Sequence, residues 1–492
     1  MVLVHSRKQI LIFGLITLIY VLVRFYGFTE YGLWTDEVYR VQFASTPLRN
    51  LLSAIARNDA APPLFYIILK GWIALGGNSL MWLRLLPIVV SIITVFPLLR
   101  LCRVLQFTDR ETIVVLTLTA LNAFLIKYAQ DVSMYSFSFL FGTLSLWLFF
   151  LWLTKEKLFS WHWTCWTAAN VLLVFNHYFG WLLVGSQILL VVLLKRERWV
   201  AAFLSVVTTA ICFGPWGFYA FAYQFSEYGL IRMLSWIDPP TWRSIVWFYG
   251  ELNGSFGVRG AGMVAGVLFF TPISLSLFQI ISSRAQPGQS DKRYTLLALL
   301  ILATIPIMIV FIASKVLPTS IWAERGLIFC ATPYLLLVTI AACRLQTKWG
   351  RTIFITGIIA WSLSAGLYNF AHINKNPNWD LVAQRLVQDC RHSGLIAHIY
   401  CTEDWLAAPL LWALRNDGLG SVQVKIASDI EMIGDRFYWL LFRNYGKHSI
   451  EPAALVALLS KRQRKVEFLF ETRNNSNRVW LCRIEPAEVA KH

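Results

Sequence analysis

Five short stretches carry ionisable side chains where the chain is otherwise apolar. Trp34-Thr35-Asp36-Glu37 follows the first long apolar block, and its adjacent acids can bind a metal or supply a general base. The same pair suits a helix start, with Thr35 as N-cap and both acids in the first turn against the helix dipole. In Asp59-Ala60-Ala61-Pro62-Pro63-Leu64-Phe65-Tyr66 the acid reads as a cap or a ligand, and the prolines mark a first helical position. Tyr128-Ala129-Gln130-Asp131-Val132-Ser133-Met134-Tyr135 is squeezed between two apolar blocks. An acid at membrane depth is costly and therefore a functional candidate, although so short a loop also suits an exposed turn acid. His177-Tyr178-Phe179 lies at a turn with almost no polar linker, where an imidazole serves as an interfacial hydrogen-bonding group or a ligand. Glu324-Arg325 opens a block containing Pro333-Tyr334. Its guanidinium can grip a phosphate bidentately, snorkel, or pair with Glu324. Acids, a His and an Arg on one membrane face would suit an anionic lipid head group.

The elements that must position these groups are membrane spans. Hydrophobic residues make up 57% of the 492 and charged ones only 14%, far below the quarter expected of a soluble domain. The apolar residues fall into blocks of about 17–25, each long enough to cross a hydrocarbon core as a helix. These blocks cover 9–26, 80–99, 111–129, 134–153, 161–176, 178–194, 199–222, 260–281, 294–314, 326–343 and 352–371. A weaker block, 62–77, is interrupted by Lys70 and closed by Gly76-Gly77. The first block lacks a small-residue cleavage site after it and reads as an anchor.

Net charge +17 does not point to nucleic acid, because the basic residues sit in short loops between spans. The clusters are Arg7-Lys8; Arg100, Arg103 and Arg110; Lys155 and Lys157; Lys195, Arg196 and Arg198; Arg284, Lys292 and Arg293; and Arg344, Lys348 and Arg351. All six fall in the cytoplasm if 62–77 dips into the membrane without crossing. The expected fold is therefore an α-helical polytopic membrane protein, with eleven spans within a range of about 11–13. The N-terminus would be cytoplasmic, and the loops 27–79, 130–133, 177, 223–259 and 315–325 extracytoplasmic, with everything after 372.

That last segment, 372–492, has balanced charge and reads as a soluble α/β domain, distinct from the membrane domain 1–371. Helices are expected at Val382–Cys390, Leu406–Leu414 and Pro452–Ser460. Strands are expected at Ile396–Cys401, Phe437–Phe442, Val466–Phe470 and Val479–Ile484. The eight cysteines show no CxxC or zinc spacing, and Cys390, Cys401 and Cys482 leave a tail disulfide open.

The order of these motifs resembles the GT-C membrane glycosyltransferases. It runs Asp36-Glu37, Asp59…Pro62-Pro63-Leu64, Arg84-Leu85-Leu86-Pro87, Tyr128…Gln130-Asp131…Tyr135, His177-Tyr178-Phe179, Glu324-Arg325…Pro333. The nearest branch contains the protein O-mannosyltransferases and the lipid A aminoarabinose transferases. Asn376-Pro377-Asn378-Trp379-Asp380 is similar to the junction before the soluble domain in bacterial members. The resemblance implies transfer of a sugar, with inversion, from a polyprenyl-phosphate donor to a lipid, glycan or protein acceptor. It implies an extracytoplasmic site in the plasma (inner) membrane. Asp36 would activate the acceptor hydroxyl, Glu37 would assist or help hold a divalent metal, Asp131 would be the second acid, and Arg325 would stabilise the leaving phosphate. Asp59, Arg84, Gln130, Tyr135, His177, Tyr178 and Glu324 would contact substrate.

The chain departs from this family twice. Ala60 and Ala61 replace an acid or His before Pro-Pro, which weakens a borrowed metal site unless His177 compensates. Val132-Ser133 stands where an Arg is usual, so phosphate binding would lean on Arg325, Arg84 or Lys127. Two further readings are a lipid or solute transporter and a scaffold that keeps the fold without catalysis. A transporter would be expected to show paired repeats and mid-span charges, and neither is evident.

Overall fold

Backbone groups in lipid must be satisfied within their own segment, so the long apolar blocks become helices. The protein is described here from a computed structural model covering residues 7–224, 233–234, 237–254, 261–282, 290–372, 378–393, 398–416, 424–426, 438–443, 450–474 and 477–486. Asn376, Pro377 and Arg284 of the motifs and clusters above lie outside these residues.

Seven helices are long and apolar enough to cross a membrane: Leu80–Val104, Tyr135–Leu153, Arg196–Gln224, Ala261–Gln279, Arg293–Val316, Glu324–Cys343 and Lys348–Asn369. An eighth candidate is a broken pair, α7 (Asp109–Leu121) and α8 (Ala123–Ala129), bent by 58°. The chain is a multi-pass membrane protein. Among the described residues the count falls short of eleven because three expected spans form shorter helices. The apolar stretch of α1 (Arg7–Phe25) is Gln9–Phe25, and α10 (Trp161–Asn176) and α11 (Gly180–Leu194) have 16 and 15 residues. At about 1.5 Å per residue, fifteen residues reach ~22 Å of a ~30 Å core.

The chain divides into two compact units. One comprises 1–26, 43–77 and 82–371; the other comprises 27–42, 78–81 and 372–492. The loop 27–79 is thus shared between them.

In the helical unit, block 62–77 becomes α4 (Leu64–Gly76), thirteen residues long. It turns back on α5 (Leu80–Ile93) through Gly77, whose φ of 83° favours glycine. Trp72 and Trp82 stack at 4.4 Å, and each indole N–H donates to the other's carbonyl, at 2.7 and 2.8 Å. A Cβ on Gly76 would lie 2.2 Å from the Trp82 ring, so only glycine admits this contact.

The α7–α8 break is the other feature that shapes the unit. Asn122 adopts extended geometry there, and its Oδ1 accepts from Leu125 N (3.0 Å) to cap α8. Its Nδ2 donates to Leu252 O at 2.7 Å. The carbonyls that α7 leaves open, Thr119 and Ala120, accept from the buried guanidinium of Arg24 at 3.3 and 3.4 Å. Arg24 also donates to Ser91 Oγ (2.8 Å) and lies 3.3 Å from the Tyr20 ring centroid.

The tail unit holds a five-stranded sheet in the order β2-β1-β3-β5-β4. The strands are β1 (Ile399–Cys401), β2 (Val424–Ile426), β3 (Tyr438–Arg443), β4 (Arg464–Asn474) and β5 (Asn477–Pro486). β1 runs parallel to β2 and β3, while β5 is antiparallel to β3 and β4. Both faces of β3 are buried. Trp439 and Leu441 pack with Leu386 of helix Trp379–Ser393 and Leu410 of helix Asp404–Asn416. Tyr438, Leu440 and Phe442 pack with Leu455 and Leu459 of helix Pro452–Ser460. The eight cysteines are free thiols.

Candidate active site

The residues of the third and fifth stretches meet around two tyrosines. Tyr128 ends α8, and Tyr135 opens α9 (Tyr135–Leu153); their ring centroids lie 5.0 Å apart. Arg325 enters from the 3₁₀ turn Glu324–Cys330 and stands 5.6 Å from the Tyr135 ring centroid. Lys127 stands 5.3 Å from that of Tyr128. The charges of Arg325, Asp131, Glu251 and Glu324 all bear on the Tyr128 hydroxyl. An aromatic floor ringed by cations and carboxylates can hold an anionic head group and still place an acid beside it.

The neighbours of this floor fix its shape. His177 lies 6.3 Å from Tyr135, and its Nδ1 accepts from Phe179 N at 3.1 Å. A Cβ on Gly326 would come within 2.9 Å of the His177 ring, so the glycine lets the Arg325 turn approach the imidazole. Trp322 Nε1 donates to Glu324 at 3.2 Å. The Gln130 amide donates to the carbonyls of Arg24 (3.0 Å) and Tyr26 (2.8 Å), so that nitrogen anchors the Asp131 turn to the end of α1. Burial raises the Glu251 carboxyl above its ordinary pKa; Lys127 opposes that shift and Glu324 adds to it.

Asp59 and Tyr178 belong to a second network in the same unit. Tyr66 donates its hydroxyl to the Asp59 carboxylate, and Gln224 Nε2 donates to Asp59 O at 3.0 Å. Tyr178 donates to Gln224 Oε1 (3.1 Å) and accepts from Trp216 Nε1 (3.2 Å). Arg84 is buried on α5.

Asp36 and Glu37 lie in the other unit, on α2 (Thr35–Ser45). The helix begins at Thr35, so Thr35 is its first residue and Trp34 its cap. Glu37 is 1% exposed and accepts from Trp34 N at 3.0 Å, which is the return half of a capping box. Asp36 pairs with Arg40 one turn on, at 3.7 Å. In this unit a Cβ on Gly32 would meet the Asp380 carboxylate at 3.0 Å, so the loop before α2 is packed against the start of the tail's first helix.

No sequence family and no curated protein matches the chain. Solved structures do. ArnT from Cupriavidus metallidurans in the apo state aligns with a TM-score of 0.61 at 13% identity, covering 95% of this chain and 97% of that one. The same enzyme bound to undecaprenyl phosphate gives 0.56 at 12% identity and the same coverage. The Archaeoglobus fulgidus oligosaccharyltransferase in complex with Zn and sulfate gives 0.53 at 13% identity, covering 82% of this chain and 61% of that one. The chain shares the fold of these solved structures.

The described residues do not fit a metal. Among them no three His, Cys, Asp or Glu side chains come together as ligands, and Ala60 and Ala61 offer no donor atoms. No step below is therefore routed through one. Motif reading missed Glu251, a lone acid in a long loop with no recognisable neighbours. It also missed Gln224, which with Tyr66 holds Asp59. The only signal for Gln224 was a polar side chain at the edge of an apolar run.

Proposed function

We propose that this GT-C protein transfers a sugar from a polyprenyl-phosphate donor to a lipid, glycan or protein acceptor at the extracytoplasmic face of the plasma membrane. The observation that carries the reading is the Tyr128–Tyr135 floor, with Arg325 over one ring and Asp131 within electrostatic reach. The acceptor hydroxyl gives its proton to a carboxylate as its oxygen attacks the anomeric carbon. The bond from that carbon to the phosphate oxygen breaks on the opposite side, and configuration inverts. The electron pair leaves on the phosphate, whose growing charge Arg325 stabilises. Asp131 serves as the acid beside the sugar, with Tyr135, His177 and Glu324 around it; Asp59, Arg84, Gln130 and Tyr178 shape the surrounding walls. Asp36 as the base, with Glu37 assisting, rests on the order of motifs.

The deciding experiment uses purified protein in nanodiscs with a panel of radiolabelled polyprenyl-phosphate sugars and membrane-extract acceptors. Turnover of one donor that vanishes in Asp36→Asn supports the reading and names the sugar. Turnover of none argues for the transporter or scaffold alternatives. Orientation has its own test. A cysteine at position 105 should be labelled by an impermeant reagent from the cytoplasm, and one at position 70 should be protected. The opposite pattern would invert the proposed topology.

A further inference from the structure

Two cations share the aromatic floor, but their settings differ. Lys127 lies exposed in the last turn of α8, within electrostatic reach of the carboxylates of Glu251 and Glu324. Among the described residues it makes no ion pair at contact distance. Its amine is attracted by two acids and held by neither.

This arrangement is built rather than incidental. Asn122 caps α8 and, with its other end, holds Leu252 O, the residue after Glu251. The next residue, Asn253, accepts from the Tyr334 hydroxyl at 2.5 Å, and its carbonyl accepts from Trp361 Nε1 at 2.9 Å. Asn122 therefore ties the N-terminal end of α8, whose last turn carries Lys127, to the residue after Glu251.

We infer that Lys127 is a second cation for the phosphate of the lipid carrier, and that Glu251 is a fixed negative charge beside that phosphate. The inference rests on the glycosyltransferase reading of this site. Its logic lies in how charge changes during transfer. The donor is a phosphodiester with one negative charge, whereas the spent carrier is a monoester approaching two. Two cations alone would hold the product more tightly than the donor. A fixed carboxylate nearby repels the product more strongly than the donor, because repulsion grows with the product of the charges. Glu251 thereby keeps the spent carrier exchangeable.

The test measures the Kd of undecaprenyl phosphate for the full-length protein in nanodiscs, with undecaprenol as the phosphate-free control. Lys127→Gln should raise the Kd about tenfold, the worth of one charge-assisted contact, and Lys127→Arg should restore most of it. Glu251→Gln should lower the Kd about threefold, in the direction opposite to any folding defect. Undecaprenol binding should be unchanged in all three. If wild-type protein binds the phosphate and Lys127→Gln binds it equally well, or if Glu251→Gln weakens binding, this inference falls while the glycosyltransferase reading stands. If wild-type protein prefers undecaprenol or binds neither lipid, both fall.

Discussion

The two units hold their buried cations in different ways, although the helical unit also pairs Arg344 with Glu111 at 2.7 Å. In the tail, arginines are tied to carboxylates. Arg443 makes a two-pronged pair with Glu403 at 2.6 Å in each arm, and Arg483 bridges Asp389, Glu467 and Glu485. In the helical unit a buried cation is held by neutral groups. Arg24 is surrounded by a serine hydroxyl, main-chain carbonyls and a tyrosine ring. Lys127, 5.3 Å from the Tyr128 ring centroid, makes no ion pair at contact distance among the described residues. Pairing charges tightly removes them from use, as suits a domain that needs only to stay folded. Leaving them poised costs stability and keeps them available to a ligand.

That contrast can be broken most directly at Asp36, which lies in the tail-containing unit and is paired with Arg40, yet is assigned chemistry. Asp36→Asn is expected to reduce transfer by about 10²–10⁴-fold with folding intact, measured as donor turnover beside a thermal melt. Full activity would return Asp36 to the same structural class as its neighbours. Arg325→Ala is next, with a loss of about 10²-fold in kcat, partly recovered in Arg325→Lys because a point charge replaces only part of a planar fork. A change in KM alone would make Arg325 a binding group and not a stabiliser of the leaving phosphate. In the tail, Arg443→Ala strands a carboxylate that is 11% exposed and should cost about 3 kcal/mol, read as earlier thermal unfolding or proteolysis of residues after 378. Replacing both partners with Met and Leu should cost far less, which would show that the pair is not itself a large source of stability. The smallest effect is expected at Thr108, whose hydroxyl caps α7 in a box with Glu111. Thr108→Ala should cost about 1 kcal/mol without altering donor turnover.

Much of this was legible in the sequence, and the gaps have physical reasons. The strands of the tail announce themselves as short apolar runs, as in Tyr438–Phe442, where both faces are apolar because both are covered. β2 escapes notice because three residues, Val424–Ile426, carry too little pattern. The spans are visible as apolar blocks, but composition does not show that 111–129 is two helices. The only hint was Asn122, a capping residue inside an apolar run, together with Arg24 inside the first block. The charged stretches were recognisable as candidates. That Asp131, Tyr135, His177 and Arg325 share one place while Asp59 joins Gln224 elsewhere depends on long-range packing, which short motifs do not encode. Glu251 lies some 120 residues from Lys127 along the chain and is brought to it by the hydrogen bond from Asn122 to Leu252.

The broken span has a consequence for how such a protein tolerates change. In a continuous helix, adding or removing one residue turns everything beyond it by about 100°. Here α8 takes its orientation from Asn122 and Gln130, while α7 ends against Arg24. The outer piece is thereby insulated from the register of the inner one. Residues can be gained or lost within α7 to suit a thicker or thinner bilayer without swinging Lys127 and Tyr128 away from their partners.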